Sequence, residues 1–271
     1  MEETSVQFVE EAVLDPLPPG AASRWSFSGV PWWLIGIIAT ILGIVFQIVT
    51  KEVWRDGFTF IIGGLTITLL VTLGGFVIAI VLGLLVGLAR LSKNAISRNL
   101  AMYYIELVRG IPVLVTIIFV SLVAFGQGFR ALGLVPPSPA IRATLALGLI
   151  YAAFIAEVFR AGIESIPDGQ REAGMSIGLS KRQVMRLVVL PQAIKNIMPA
   201  LGNDLIALLK DSSLVSIVAV REFTQMTKLW TGSNFHFMEG YFVLAGVYLA
   251  LTLSLSLLLR WYERRISTPG H

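Results

Sequence analysis

Apolar residues along this chain gather in long runs rather than in the short alternation of a half-buried strand. Six runs are long enough to cross a bilayer as helices, which takes about 20 residues. They are Pro31 to Val49, about Phe58 to Ala89, about Tyr103 to Phe125, about Ala140 to Arg160, about Ile194 to Val220 and Tyr241 to Trp261. At 1.5 Å per residue the second would measure about 48 Å, so it must tilt or project into water. Its Gly75, Ala79, Gly83 and Gly87 recur every four residues, a small-residue stripe that lets another helix approach closely. All six tryptophans, Trp25, Trp32, Trp33, Trp54, Trp230 and Trp261, fall at or near run ends, where rings prefer the headgroup boundary.

Between the fourth and fifth runs the pattern turns polar. Pro167 and Asp168 form a helix start and Gly178 a stop, about ten residues apart. Ser180 and Gln183 then read as a capping box, so a second helix starts at once and runs toward the membrane, meeting the first at a sharp bend. On the first helix Ala173 and Ile177 share a face, Gly174 and Gly178 leave a flat patch, and Glu172 projects a carboxylate. An interfacial helix lying on a bilayer would carry large apolar side chains. Small residues with one methionine favour docking against another protein.

Composition agrees with an all-α polytopic membrane protein: 55% of the 271 residues are hydrophobic and 14% charged, with a mean hydropathy of +0.78. There is no cysteine, and the two histidines, His236 and His271, lie far apart. Disulfide, redox and metal chemistry are therefore not expected. Residues 1–30 carry Glu2, Glu3, Glu10, Glu11 and Asp15 before Pro16, Pro18 and Pro19. That is no signal peptide, and it reads as a disordered acidic cytoplasmic tail. The net charge of +4 reflects the Lys and Arg bias that orients membrane proteins rather than a nucleic-acid partner. With the tail in the cytoplasm, fourteen of the 21 basic residues fall inside and six outside. The polar stretch and the C-terminus are then cytoplasmic.

Ionisable residues in a membrane must pair, face water or serve a substrate. Glu157 and Arg160 are spaced as an i, i+3 pair, and Glu106 and Arg109, similarly spaced, read as an interfacial anchor. Asp204 and Asp211 lie seven residues apart on one helix face, with Lys210 beside Asp211 and with Asn203, Ser212, Ser213 and Ser216 on the same segment. Helix-to-helix pairing and transport explain these equally well. A zwitterionic amino acid needs an acceptor for its ammonium and donors for its carboxylate. Glu157, Lys210, Asp211, Ser212 and Ser213 are the candidates for such a path. Pro191 and Pro199 predict a bend on the approach to this segment.

The stretch Glu172 to Pro191, EAGMSIGLSKRQVMRLVVLP, resembles the EAA loop of ABC-importer permeases: E-A-A, three residues, G, nine residues, I-x-L-P. Glu172, Ala173, Gly178, Leu190 and Pro191 match in register, while Gly174 replaces the second alanine and Val188 the isoleucine. Further likeness to the polar amino acid permeases of histidine and glutamine uptake lies in YIELVRGIP (Tyr104 to Pro112), YAAFIAEVFRAGIESIPDGQREA (Tyr151 to Ala173) and LLKDSSL (Leu208 to Leu214). It covers about residues 58–265.

The resemblance implies a type I permease with a five-helix core over 58–265, a coupling loop at about 165–191, and residues 31–50 as an extra N-terminal transmembrane helix. It further implies that Gln170, Glu172, Ala173, Gly174, Ile177, Gly178, Leu190 and Pro191 seat in a groove of a cytoplasmic ATP-binding subunit pair. Those subunits would bind ATP and Mg, since this chain has no G-x-x-x-x-G-K-S/T loop to cradle phosphates and is not expected to be an enzyme. A second permease chain, identical or paralogous, an external amino-acid-binding protein and a polar amino acid complete the expected partners. Two other classes compete. A gated channel lacks a filter-like sequence, and a lipid-processing enzyme lacks a cluster of His, Cys or paired carboxylates. An ABC permease for another small polar solute stays open.

Overall fold

A chain with so few charges in its long runs has to satisfy its backbone internally, and helices do this within each segment. The computed structural model describes Trp32 to Ile266; the acidic stretch predicted over residues 1–30 lies outside the described residues. The chain divides into two units, one ending at Thr40 and one beginning at Ile41. The described part of the first is the apolar start of helix α1 (Trp32–Thr50), with Trp32, Trp33, Ile35 and Ile38 exposed.

In the second unit α2 (Glu52–Ile62) and α3 (Leu65–Arg90) together form the second membrane segment, Glu52–Arg90. It starts six residues earlier than the apolar run predicts and is interrupted at Gly63 and Gly64. The interruption has a tertiary cause. A Cβ on Gly64 would lie 2.7 Å from the Phe223 nitrogen, and the Phe223 amide donates to the buried Thr68 hydroxyl oxygen at 3.0 Å. Glycine lets the two backbones meet there.

The third segment corrects the sequence expectation of Tyr103 to Phe125. Helix α4 (Ala95–Gly110), capped by Asn94, stops at Ile111, which is extended (φ −105°, ψ 136°) as a residue preceding proline tends to be. After Pro112 the apolar segment runs over Val113–Ala131: α5 (Val113–Ile118), a π-helical stretch Phe119–Gln127 and α6 (Gly128–Ala131). Glu106 and Arg109 therefore belong to a separate helix. Arg142 donates to the Ser121 carbonyl at 3.1 Å and braces the π-helical stretch.

Helix α7 (Pro139–Glu164), started by Ser138 with proline in the first turn, is the centre of the unit. Ala146, Leu147, Ile150, Ile155 and Ala156 on it are fully or almost fully buried. The small-residue stripe of α3 packs here, as its spacing predicts: a Cβ on Gly83 would sit 2.8 Å from the Ile155 Cγ2, and one on Gly87 2.9 Å from the Ala156 carbonyl. Tyr104 of α4 donates to the Leu149 carbonyl.

Beyond α7 come α8 (Asp168–Ser176), α9 (Lys181–Val184), a π-helical turn Met185–Val189, α10 (Leu190–Asp211) and a 3₁₀ stretch Ser212–Val218. The fifth segment is thus continuous over Lys181–Val218, longer than the predicted Ile194 to Val220. The π-helical turn precedes Pro191, whose missing N–H cannot close an ordinary helical turn. Then follow α11 (Phe223–Asn234) and α12 (Phe237–Ile266). A second core joins Trp54, Ile61, Phe223, Trp230 and Val243 with Ile44 and Ile48 of α1. Trp54 and Trp230 are therefore core residues rather than headgroup anchors: both are buried, and Gly57 packs directly on the Trp230 ring.

Candidate functional site

Two regions hold the candidate site residues. The first is the α8 elbow. Ile177 ends α8, and Gly178 at φ +88° turns the chain through the left-handed region that glycine enters freely. The Gly178 amide donates to the Met175 carbonyl at 2.9 Å and the Leu179 amide to the Gly174 carbonyl at 3.2 Å, the paired bonds of a Schellman stop. Ser180 then caps α9 through the predicted box: its Oγ accepts from the Gln183 amide, and its own amide donates to Gln183 Oε1 at 2.9 Å.

Two contacts fasten α8 to the neighbouring helices, and a third joins α7 to α10 beside it. Arg171 donates to the Ile163 carbonyl at 3.0 Å and to Asp168 Oδ1 at 3.2 Å. Gly174 is buried, with space for a Cβ only 3.0 Å from the Val184 Cγ2. Asn196 of α10 donates to the Ser165 hydroxyl, at the end of α7, at 3.0 Å. The buried Gly174 corrects the expectation of a flat exposed patch: its lack of a side chain serves the α8–α9 contact. What α8 presents outward is Gln170, Glu172, Ala173 and Ile177, with Gly178, Leu190 and Pro191 also exposed. Ile177 is 78% exposed. The Glu172 carboxylate has no ion-pair partner among the described residues.

The second region is a pair of cavities along α10. One, of about 530 Å³, is lined by Arg109 of α4, by Phe154, Glu157 and Arg160 of α7, and by Asn196 and Asp204 of α10. Glu157 Oε2 accepts from Arg160 Nε at 2.9 Å and from its terminal nitrogen at 2.7 Å. Its other oxygen lies 3.9 Å from Arg90 Nε of α3, and Arg160 also pairs with Glu164. Glu157 is thus held in an ion cluster joining α3 and α7. Arg109, by contrast, makes no ion pair among the described residues and lies 5.8 Å from the Phe154 ring centroid. Asp204 Oδ2 is buried without a hydrogen-bond partner.

The other cavity, of about 710 Å³, is lined by Lys210, Ser213, Thr224, Tyr241, Tyr248 and Thr252, with leucine and alanine filling the rest. Asp211 turns away from it, accepting from the Tyr151 hydroxyl at 2.8 Å. Ser212 is buried and donates to the Leu209 carbonyl at 2.7 Å. The five path residues are therefore not assembled within one chain. Glu157 lines one cavity, Lys210 and Ser213 the other, and Asp211 and Ser212 line neither. Neighbouring residues of a helix point about 100° apart, so Lys210 and Asp211 diverge. Arg109, Tyr151 and Asn196 are not among the sequence-predicted site residues; Arg109 lies in the YIELVRGIP run and Tyr151 opens the YAAFIAEVFRAGIESIPDGQREA run, while no motif marks Asn196.

Among the described residues no group of three or more His, Cys, Asp or Glu is placed to hold a metal ion. What the arrangement offers instead is polar lining along apolar helices and a rigid outward-facing elbow.

Residues 79–268 match the family described as binding-protein-dependent transport system inner membrane component. The chain is 37% identical over 218 residues to the "Probable amino-acid permease protein YxeN" of Bacillus subtilis, covering 80% of this chain and 96% of that one. It is 35% identical over 206 residues to the glutamine transport system permease protein GlnP of Escherichia coli, covering 76% and 92%. A solved amino acid ABC transporter ("Crystal structure of an amino acid ABC transporter with histidines") superimposes with a TM-score of 0.70 at 34% identity, covering 76% of this chain and 94% of that one.

Proposed function

Because the chain belongs to the inner membrane components of binding-protein-dependent transport systems, we propose that it is the permease subunit of an ATP-driven importer for a polar or charged amino acid. The amino-acid assignment is supported by its similarity to amino-acid and glutamine permeases. The observation that carries the mechanism is the elbow: α8 is fastened to α7 and α9 through Arg171 and Gly174 while Glu172, Ala173 and Ile177 face outward.

In this reading α8 is a coupling helix in the cytoplasm, seated in a groove of an ATP-hydrolysing subunit whose basic residue meets Glu172. ATP and Mg bind to that subunit and its twin. Each twin holds one permease chain, identical to this one or paralogous, and an external binding protein delivers the amino acid. When ATP draws the twins together, α8 moves, and the Arg171 and Asn196 bonds carry the displacement into α7 and α10. The two membrane arrangements thereby exchange stability, which is alternating access. Residues 58–265 form the transporting core, and 31–50 add one N-terminal span. The α8 side and the C-terminus face the cytoplasm, in keeping with the excess of Lys and Arg there.

The test is uptake of labelled amino acids into liposomes holding this chain with its neighbouring ATPase, ATP on the α8 side and the binding protein on the other. ATP-dependent accumulation of one or a few polar amino acids is the expected result. Copurification of an active ATPase without accumulation of any amino acid would reopen the substrate class. Flux without ATP would point to a channel.

A further inference from the structure

We infer that the cavity of about 520 Å³ among the ends of α3 and α7, α8 and α9 binds the phosphate of an anionic phospholipid, and that the bound headgroup braces the α8 elbow. The site goes beyond the importer reading and stands whatever the chain transports.

Its place in the chain points to lipid. One membrane segment ends at Arg90, a second ends at Glu164 and a third begins at Lys181. Lys93, Glu164 and Lys181 line the cavity together with Arg171 of α8. The cavity therefore lies where apolar segments stop, which is the depth of lipid headgroups. Its remaining lining is apolar. Val184 and Val189 are buried, while Met175 and Met185 stay exposed. A soluble anion leaves those methionines in water, whereas the upper acyl chains of a lipid cover them.

Charge gives the sign of the ligand. Three cations and one carboxylate line this space, and the carboxylate is already matched: Glu164 pairs with Arg160, which lies outside the cavity. Lys93 and Lys181 are exposed and have no ion pair among the described residues. Arg171 directs its terminal nitrogens to the Ile163 carbonyl and Asp168 Oδ1, and its Nε is buried with no acceptor. Leaving a buried donor unpaired is costly. A phosphodiester brings one negative charge and acceptor oxygens for that N–H and for both ammonium groups. Basic pockets between membrane helices on the cytoplasmic side suit such headgroups. The Lys and Arg excess that merely orients a membrane protein requires neither a cavity nor a buried N–H.

The geometry of α8 keeps this ligand clear of a docked protein. Arg171 and Met175, four residues apart, share the cavity face, and Ala173 and Ile177 lie on the opposite side of the helix. A phosphate held by Lys93, Arg171 and Lys181 ties α8 and α9 to the end of α3. The elbow then moves as one piece with the membrane helices.

The test uses the purified full chain in a neutral detergent. Its unfolding midpoint is followed as phosphatidylglycerol, phosphatidylcholine or inorganic phosphate is added, since a ligand of the folded chain raises the midpoint. Phosphatidylglycerol should raise it at mole fractions where phosphatidylcholine does not, and inorganic phosphate at the same concentration should leave it unchanged. Each lysine removed in the double variant Lys93→Gln, Lys181→Gln should weaken phosphatidylglycerol binding about fivefold. Arg98→Gln with Lys195→Gln removes two exposed basic residues outside the cavity and should keep the parent's response. Equal responses to the two lipids, or equal losses in the two double variants, overturn the site. A rise with inorganic phosphate equal to that with phosphatidylglycerol overturns lipid as the occupant. Should the double variant fail to fold, Lys181→Gln alone decides by the same fivefold loss. For the brace, the complete complex is reconstituted in phosphatidylcholine vesicles with and without phosphatidylglycerol. Phosphatidylglycerol should raise uptake by the parent several-fold and uptake by Lys93→Gln, Lys181→Gln much less; equal stimulation of both overturns the brace. Absence of ATP-dependent uptake in every vesicle overturns the importer reading and leaves the binding result to stand by itself.

Discussion

The Tyr151 hydroxyl donates to Asp211 Oδ2 at 2.8 Å, joining the middle of α7 to the end of α10. Asp211 is the residue beside which Lys210 diverges toward the larger cavity, so this bond sets the direction in which the carboxylate points. Tyr151 is 4% exposed, and its phenol has no route to water when the bond breaks. Tyr151→Phe keeps the ring packed against Phe154 and removes only the donor. A hydrogen bond to a charged group is worth about 1.5–3 kcal/mol. The unfolding midpoint in detergent should therefore fall by several degrees, and uptake should drop while ATPase subunits still bind. An unchanged midpoint would show that Asp211 finds another donor.

Close approach of α3 and α7 depends on residues without side chains. An added methyl at Gly83 would lie 2.8 Å from the Ile155 Cγ2 and 3.1 Å from the Ala152 carbonyl, and a backbone oxygen cannot move aside as a side chain can. Overpacking of this kind costs about 1–3 kcal/mol. Gly83→Ala should destabilise by that amount, and Gly83→Leu should prevent the helices from meeting. Gly43 in α1 is the control, because a methyl added there would meet nothing within 4 Å. There alanine gains about 0.5–1 kcal/mol from helix propensity. Thermal unfolding of the purified chains would separate the two cases.

Local signals were readable in advance wherever the structure obeys them. The helix Asp168–Ser176, its stop at Gly178 and the Ser180–Gln183 box depend on residues within a few positions of one another. Pro112 was equally local, but the apolar run on both sides concealed it, and the break at Ile111 moved the third segment by about ten residues. Gly63 and Gly64 offered no clue to their role, because their partner Phe223 contacts Thr68 across 155 positions of sequence. The direction of a helix face was also hidden: Gly174 reads as an open patch until Val184 of the next helix is placed on it. For the same reason Arg109 passed for an anchor. Its neighbours Phe154 and Asp204 come from two other helices.

Glu222 should make stability depend on pH. It is buried at the start of α11, where its carboxylate accepts from the Thr224 amide at 2.8 Å and the Gln225 amide at 2.7 Å. Burial pushes its carboxyl from an ordinary 4.5 up to about 6, with those amides pulling the other way. The folded chain therefore holds this proton more tightly than the unfolded chain. The favourable contribution is complete below about pH 4.5 and disappears as the pH rises through about 6, a change on the order of 2 kcal/mol. Glu222→Gln keeps an acceptor for the cap and cannot titrate. The difference in unfolding midpoint between parent and variant, followed from pH 4.5 to 7, should change across that window and be flat above it. A difference that stays constant throughout would place the proton elsewhere.

Glu172 offers the sharpest separation of structure from coupling. Its side chain is exposed on α8, while its backbone carbonyl accepts from the Ser176 hydroxyl at 2.9 Å. Reversing an exposed charge that has no ion pair among the described residues changes folding by a few tenths of a kcal/mol, so Glu172→Lys should unfold at the parent's midpoint. If a basic residue of the ATPase subunit meets this carboxylate, the variant sets two like charges against each other and should uncouple ATP hydrolysis from uptake. Arg171→Ala fails differently: it frees α8 from the Ile163 carbonyl, so stability and coupling should both decline. Uptake and hydrolysis rates measured together with the midpoint distinguish these patterns. Full uptake by Glu172→Lys would remove Glu172 from the coupling surface and leave the contact to Ala173 and Ile177, whose apolar side chains seat by shape and are indifferent to the charge beside them.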